Sequence, residues 1–183
     1  MAEEKGLTNE DGFFKRASFF LASVFGIGFI KYASGTFGSL VALPLAWLML
    51  LTGGINALLI CILVVGVIGY GATALALRYA EDEDPSFIVI DELVAQMMVF
   101  VPSLLLFPAL NWSPVLYIAG FAFFRLFDIA KPWHVGQVDR DIHGAFGVML
   151  DDIVAAFYAS VCTALCMLIY GLITAGVPTE AVL

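Results

Sequence analysis

The feature that most constrains this chain is a series of apolar runs near the length needed to cross a bilayer. They fall at 37–52, 55–77, 93–110, 114–130 and 153–172. A helix needs about 20 mostly apolar residues to traverse a hydrocarbon core of ~30 Å, and in lipid only structures that satisfy their own backbone can span. Thr52-Gly53-Gly54 and the stretch from Pro108 to Pro114 supply the turn chemistry between runs. The expected fold is therefore all-α: a polytopic helical membrane protein of about five transmembrane helices. Composition agrees, because 62% of residues are apolar and only 13% charged, which argues against an ordinary water-soluble globule. The expected organisation is a cytoplasmic tail (1–16), one helical membrane catalytic domain (17–172) and an extracytoplasmic tail (173–183).

A further, shorter run at 17–30 is bounded by Lys15-Arg16 and Lys31. Read as a re-entrant or interfacial helix, it leaves residues 1–36, 78–92 and 125–152 on one side of the membrane. All 8 Lys and Arg residues then lie on that side: Lys5, Lys15, Arg16, Lys31, Arg78, Arg125, Lys131 and Arg140. The positive-inside rule makes that side cytoplasmic, so the polar face is expected in the cytoplasm and the C-terminus outside. A six-span alternative would push the basic N-terminus outward. A signal-peptide reading meets an acidic start at Glu3, Glu4, Glu10 and Asp11.

Other classes are excluded more simply. A net charge of −8 without a basic patch offers nothing to nucleic acid. The 3 cysteines, Cys61, Cys162 and Cys166, sit inside apolar runs, so neither a disulfide framework nor a zinc site is indicated. Nothing in the sequence fixes the oligomeric state, and a homo-oligomer is compatible with it.

The folding diagram brings nearly every unusual polar residue to one membrane face, where ionisable groups read as functional. Gly35-Thr36-Phe37-Gly38-Ser39 is a glycine-rich loop leading into a span. Its backbone N–H groups, two hydroxyls and nearby Lys31 suit a phosphate, although a re-entrant turn capped by Thr36 or Ser39 fits the same residues. Asp91-Glu92 and Asp151-Asp152 each open a span, where the helix dipole favours the ionised form. They serve either as solvated caps or as oxygen ligands. Two acidic pairs held together repel unless a divalent cation sits between them, and an all-oxygen set favours a hard ion such as Mg²⁺. Arg125 and Asp128 share one helix face, as a plain ion pair or as a phosphate-binding pair. Lys131-Pro132-Trp133 ends that helix. Asp139, Asp141 and His143 follow in a loop, and His143, one of 2 histidines, is a surface residue or a candidate acid or base. The run Glu81-Asp82-Glu83-Asp84 reads as a solvated turn.

Taken together, four blocks make the chain resemble the phosphatidylglycerophosphatase A family of bacterial membrane phosphatases. They are Gly35-Thr36-Phe37-Gly38-Ser39, Asp91-Glu92, the stretch Arg125-Leu126-Phe127-Asp128-Ile129-Ala130-Lys131-Pro132-Trp133, and Asp139 with His143-Gly144-Ala145-Phe146-Gly147-Val148-Met149-Leu150-Asp151-Asp152. Each block is weak alone; in this order and spacing they are specific. The chain departs from the family's pattern at Ala95, His134 and Ala145, beside rather than at the charged positions. The resemblance implies Mg²⁺-dependent hydrolysis of the terminal phosphomonoester of phosphatidylglycerophosphate. It also implies a bacterial cytoplasmic (inner) membrane; there Asp91, Glu92, Asp151 and Asp152 are expected to hold the metal, with Asp128 and Asp139 as nearby catalytic members of the cluster. Lys31, Arg125, Lys131 and the Gly35, Thr36, Gly38 and Ser39 segment would bind substrate, with His143 protonating the leaving oxygen and membrane lipids surrounding the tails. The different-class alternative is a small cation- or proton-coupled transporter using the same carboxylates. Against it, transporters place charged sites near the bilayer midplane, whereas these gather at one end.

Overall fold

A computed structural model describes residues 9–82 and 85–175. It is all-helical, with no strand among the described residues. Six α-helices follow in order: α1 (Asn9–Ala22), α2 (Ser34–Ala76), α3 (Ile90–Leu106), α4 (Pro114–Ala130), α5 (His134–Asp141) and α6 (Gly144–Ala175). By length and composition α2 and α6 can each cross a membrane. Lys5, Glu83, Asp84 and most of the expected C-terminal tail lie outside the described residues.

Helix α2 is not one straight rod. At Gly53 and Gly54 its backbone leaves helical geometry, Gly54 at φ 64° and ψ −157°, a combination that is essentially glycine-only. An unbroken helix would hold Gly38 and Gly69 about 46 Å apart, at 1.5 Å per residue. Yet a Cβ on Gly38 would lie 2.9 Å from Val89, and one on Gly69 would lie 3.1 Å from Ile90. The helix therefore folds back on itself, and its two arms, 34–52 and 55–76, both reach the start of α3. The turn read from Thr52-Gly53-Gly54 is this reversal.

The run at 17–30 also reverses. Helix α1 stops at Ala22, and at 14 residues it is only about 21 Å long. Val24, Phe25 and Gly26 all take positive φ, and a 3-10 turn (Ile27–Phe29) leads back toward α2. The reversal is pinned against the segment before α3. The Ala22 carbonyl accepts a hydrogen bond from the Val89 N–H at 3.0 Å, and Phe19 and Phe29 both pack on Phe87, with ring centroids 4.6 and 5.3 Å away.

Helix α3 is the central element, packed against α2, α4 and α6. It buries Leu93, Met97, Phe100 and Leu104 toward α2 and α4, in a core that includes Ala42, Leu58 and Leu116. A second cluster joins Ala95 and Val99 to Phe124 and to the small stripe Ala155, Ala156 and Ala159 of α6. Small residues let helices approach closely, which matters where lipid removes the hydrophobic drive and packing must hold the bundle. At the end of the bundle away from Val89, Trp47 meets Trp112 edge-on at 6.1 Å.

Candidate active site

The end of the bundle near Val89 holds a cavity of about 180 Å³ with polar walls. Its acidic lining is Asp91, Glu92, Asp128, Asp151 and Asp152, with Lys131 beside them. Four separate parts of the chain build it, because Ser34 of α2 and Ser86 also contribute. Ser34 ties those two parts together by donating to the Ser86 carbonyl at 2.8 Å.

Asp91 and Glu92 stand in the first turn of α3, as their position before an apolar run suggests. Asp151 and Asp152 do not open their helix. Helix α6 begins at Gly144, so these two aspartates sit two turns inside it and the helix-terminus argument does not apply to them. What gathers them is packing: α6 lies along α3, and Asp152 is turned inward with 4% exposure. One oxygen from each of Asp91, Glu92 and Asp152 falls within 4.8 Å of the others.

Asp151, expected in the same ligand set, is otherwise engaged. Its Oδ2 accepts from the Lys131 ammonium at 2.8 Å and its Oδ1 accepts the Asp152 N–H at 3.0 Å. Lys131 also donates to Asp139, so one cation bridges α5 and α6. Burial works against the Lys131 charge, but the hydrogen bonds to Asp139 and Asp151 outweigh it and hold its pKa above the ordinary lysine value. The backbone around it is strained, with Lys131 at φ 42° and Trp133 at φ 45° on either side of Pro132. That conformation is unfavourable for residues with a Cβ, and it turns the chain sharply from α4 into α5.

Arg125 reaches the cavity lining through Asp128. It pairs with Asp128 at 2.5 Å, one turn along α4, which is the pairing that their spacing indicates. Its Nη1 also donates to Ser39 Oγ at 3.3 Å, and Ser39 in turn donates to the Gly35 carbonyl at 2.9 Å. A Cβ on Gly35 would collide with Glu92 Oε1 and come within 3.3 Å of Arg125 Nη1. The absence of a side chain at 35 is what admits Glu92.

The structure corrects three local readings. Residues 35–39 are not a loop: α2 begins at Ser34, Gly38 packs on Val89, and no side chain caps the helix. Asp139 and Asp141 lie on helix α5 rather than in a loop. Ser39 is bonded back into its own helix instead of capping it. Other expected residues stand apart from the cavity walls. Lys31 is exposed with its ammonium 5.7 Å from the Tyr32 ring, Thr36 is half-buried, and His143 is exposed just before α6. His134 contacts Tyr158, Nδ1 to hydroxyl, at 2.8 Å.

Buried polar atoms nearly always have partners, so the exceptions here are informative. Glu92 Oε2 and Arg125 Nε are buried with no hydrogen-bond partner among the described residues. An all-carboxylate trio with an unsatisfied oxygen fits a hard divalent cation, and an unsatisfied guanidinium N–H fits an oxyanion. Gln96, one turn deeper than Glu92, is fully buried, and neither amide atom has a partner among the described residues. Its signal in the sequence is that of a lone amide within an apolar run.

Comparison with known proteins bears on this site. The sequence model of the family described as Phosphatidylglycerophosphatase A matches residues 20–167. A phosphatidylglycerophosphatase A from Haemophilus influenzae is 36% identical over 139 residues, covering 76% of this chain and 82% of the relative. The protein of the same name from Escherichia coli is 36% identical over 137 residues, 74% of each chain. A putative phosphatidylinositol-3-phosphatase from Bacteroides thetaiotaomicron is 34% identical over 168 residues, 86% of this chain and 99% of its own. No solved structure matches.

Proposed function

The chain belongs to the phosphatidylglycerophosphatase A family, and on that premise we propose that it hydrolyses the terminal phosphomonoester of phosphatidylglycerophosphate to phosphatidylglycerol and inorganic phosphate. It is a phosphatase with a lipid substrate; the particular headgroup and its place in phospholipid synthesis are the proposal. The observation that carries this reading is the trio Asp91, Glu92 and Asp152 in one small cavity with Lys131, while Arg125 is held beside it by Asp128 and Ser39.

In this reading Asp91, Glu92 and Asp152 hold Mg²⁺, and Asp151 keeps Lys131 in place. The bound ion supplies Lewis-acid polarisation of the phosphoryl group and offsets the acidic field. Arg125, steered by Asp128 and Ser39, and Lys131, steered by Asp139 and Asp151, bind the non-bridging oxygens, where charge stabilisation counts most. A water oxygen bonds to phosphorus as the bond from phosphorus to the glycerol oxygen breaks. His143, on the exposed approach to α6, protonates the departing glycerol oxygen, while Lys31 and the start of α2 attract the phosphate into the site. Hydrolysis in ¹⁸O-water under single turnover tests the nucleophile, since the label enters phosphate directly if water attacks.

Five crossings follow if both arms of α2, then α3, α4 and α6, span the bilayer. The 17 residues of α3 and of α4 sit at the short end of the spanning range of about 17–25. The polar cavity then faces the cytoplasm of a bacterial inner membrane, the side to which Arg78, Lys131 and Arg140 belong. The transporter alternative lacks support from the relatives, and its carboxylates would be expected midway along the helices.

The deciding experiment is phosphate release from the purified protein given phosphatidylglycerophosphate with Mg²⁺ or with chelator. Release only with Mg²⁺ is expected; no release in either condition would end the proposal.

A further inference from the structure

An apolar groove begins one turn from the acidic cavity. Two cavities of about 360 and 440 Å³ lie between α3 and α6, the first also walled by Leu59 and Ile62 of α2, and share Pro102, Phe157 and Ser160, so they form a single groove. The groove starts at Ile153, the residue after Asp152, and ends at Leu168, about 22 Å along α6 at 1.5 Å per residue. On α3 its walls Met98 and Pro102 follow Asp91 at seven- and eleven-residue spacing, which keeps them on one helix face. Its lining is almost wholly carbon. Phe157, Leu165 and Leu106 along it are 65%, 55% and 64% exposed, so the groove is open sideways to the medium around the bundle.

We infer that this groove seats one acyl chain of the phospholipid substrate, the inference resting on the lipid-phosphatase reading above. Three features choose that occupant over a second protein helix or a soluble ligand. Asp152 stands four residues, one turn, before the groove wall Ala156 on α6, and Asp91 stands seven before Met98 on α3, so one end of the groove lies next to the carboxylate trio. Its length exceeds the ~15 Å that one leaflet's share of a ~30 Å hydrocarbon core requires, while its mouth faces sideways. Its walls offer contact along the whole length but almost no polar partner, which suits a hydrocarbon tail and nothing charged. A lipid moving laterally could thus enter tail-first along α6 and bring its phosphate to Arg125 and Lys131 without leaving the bilayer.

Two measurements test this. In the first, a phosphatidylglycerophosphate carrying a diazirine midway along one acyl chain is irradiated with the full-length protein in phosphatidylcholine vesicles. Crosslinks should fall within residues 59–62, 98–107 and 153–168 and be competed by unlabelled phosphatidylglycerophosphate but not by added phosphatidylcholine. Crosslinks elsewhere, or equal competition by both lipids, would overturn the inference, and this readout does not depend on turnover. In the second, Ala164→Trp and the milder Ala164→Leu narrow the groove. KM for the long-chain substrate should rise about tenfold in the Trp variant, the contact of roughly two methylene groups, and kcat should hold. Turnover of a dihexanoyl analogue should stay unchanged in both variants, showing that the site is intact. Equal losses on long and short substrates in both variants, or no change on either, would also refute it. A wild-type protein that crosslinks as described yet hydrolyses neither substrate would instead refute the reaction while leaving the groove.

Discussion

Lys131 donates to Asp151 at 2.8 Å and to Asp139 as well, and this bridge takes Asp151 out of the trio formed by Asp91, Glu92 and Asp152. Two neighbouring aspartates on α6 therefore have different tasks. Asp152 is turned to the trio, while Asp151 holds the cation on which α4, α5 and α6 converge.

Lys131→Met should consequently destabilise the protein by about 1–2 kcal/mol, less than a fully buried pair would lose because Lys131 and Asp139 are partly open to solvent. The pH dependence follows from the raised folded pKa of Lys131. Its stabilisation is full below the unfolded lysine value of about 10.4 and fades only as pH rises through the higher folded value. The difference in melting temperature between wild type and Lys131→Met should stay level from pH 7 to about 10 and narrow above that.

Glu92→Gln and Asp152→Asn remove one charge each from the trio without changing shape. Both should lose Mg²⁺-dependent turnover by at least ~10²-fold. In wild type, saturating Mg²⁺ should raise thermal stability, since about 100-fold excess over Kd corresponds to ~2.7 kcal/mol. A melt that shifts equally with Mg²⁺ in both variants and wild type would refute the trio as the ion's site.

Gly35→Ala places a methyl group where Glu92 Oε1 now lies. The expected result is a folded protein whose turnover falls roughly 10²-fold, the usual effect of moving a catalytic group by about 1 Å. Circular dichroism should be unchanged, since alanine suits a helix better than glycine.

Gly54→Val tests the fold of α2. At φ 64° and ψ −157° a β-branched residue is strained by about 1–3 kcal/mol, so the melting temperature should drop by several degrees. Gly71→Ala, on the same helix with nothing within 4 Å of the added methyl, should be neutral or slightly stabilising.

His143→Ala isolates proton donation. If His143 protonates the glycerol oxygen, turnover of phosphatidylglycerophosphate should fall 10²–10⁴-fold. A phosphoester analogue with a far more acidic leaving group should be hydrolysed nearly as fast as by wild type, and equal losses on both would remove His143 from that role.

The apolar runs and their punctuation were legible because bilayer thickness and turn chemistry act locally. Gly53-Gly54 announced a reversal, and Lys15-Arg16 and Lys31 bounded a run shorter than the others. Arg125 and Asp128 were legible for the same reason, as a pair one turn apart. What the sequence could not carry was where polar stretches become helical. Residues 134–141 and 144–152 look like loop by composition, yet they fold as α5 and the first turns of α6 because Val135, Ala145 and Met149 find buried places against the bundle. That shift moved Asp151 and Asp152 from a helix end to a helix interior. The division between Asp151 and Asp152 was likewise invisible, since it depends on a lysine brought in by a strained turn.

The cavity walls come from positions as far apart as Ser34 and Asp152. A growing polypeptide emerging from the ribosome thus carries no complete centre until its final long helix has been delivered and docked. Truncation anywhere before α6 silences the protein outright instead of leaving a partly working fragment loose among the phospholipids.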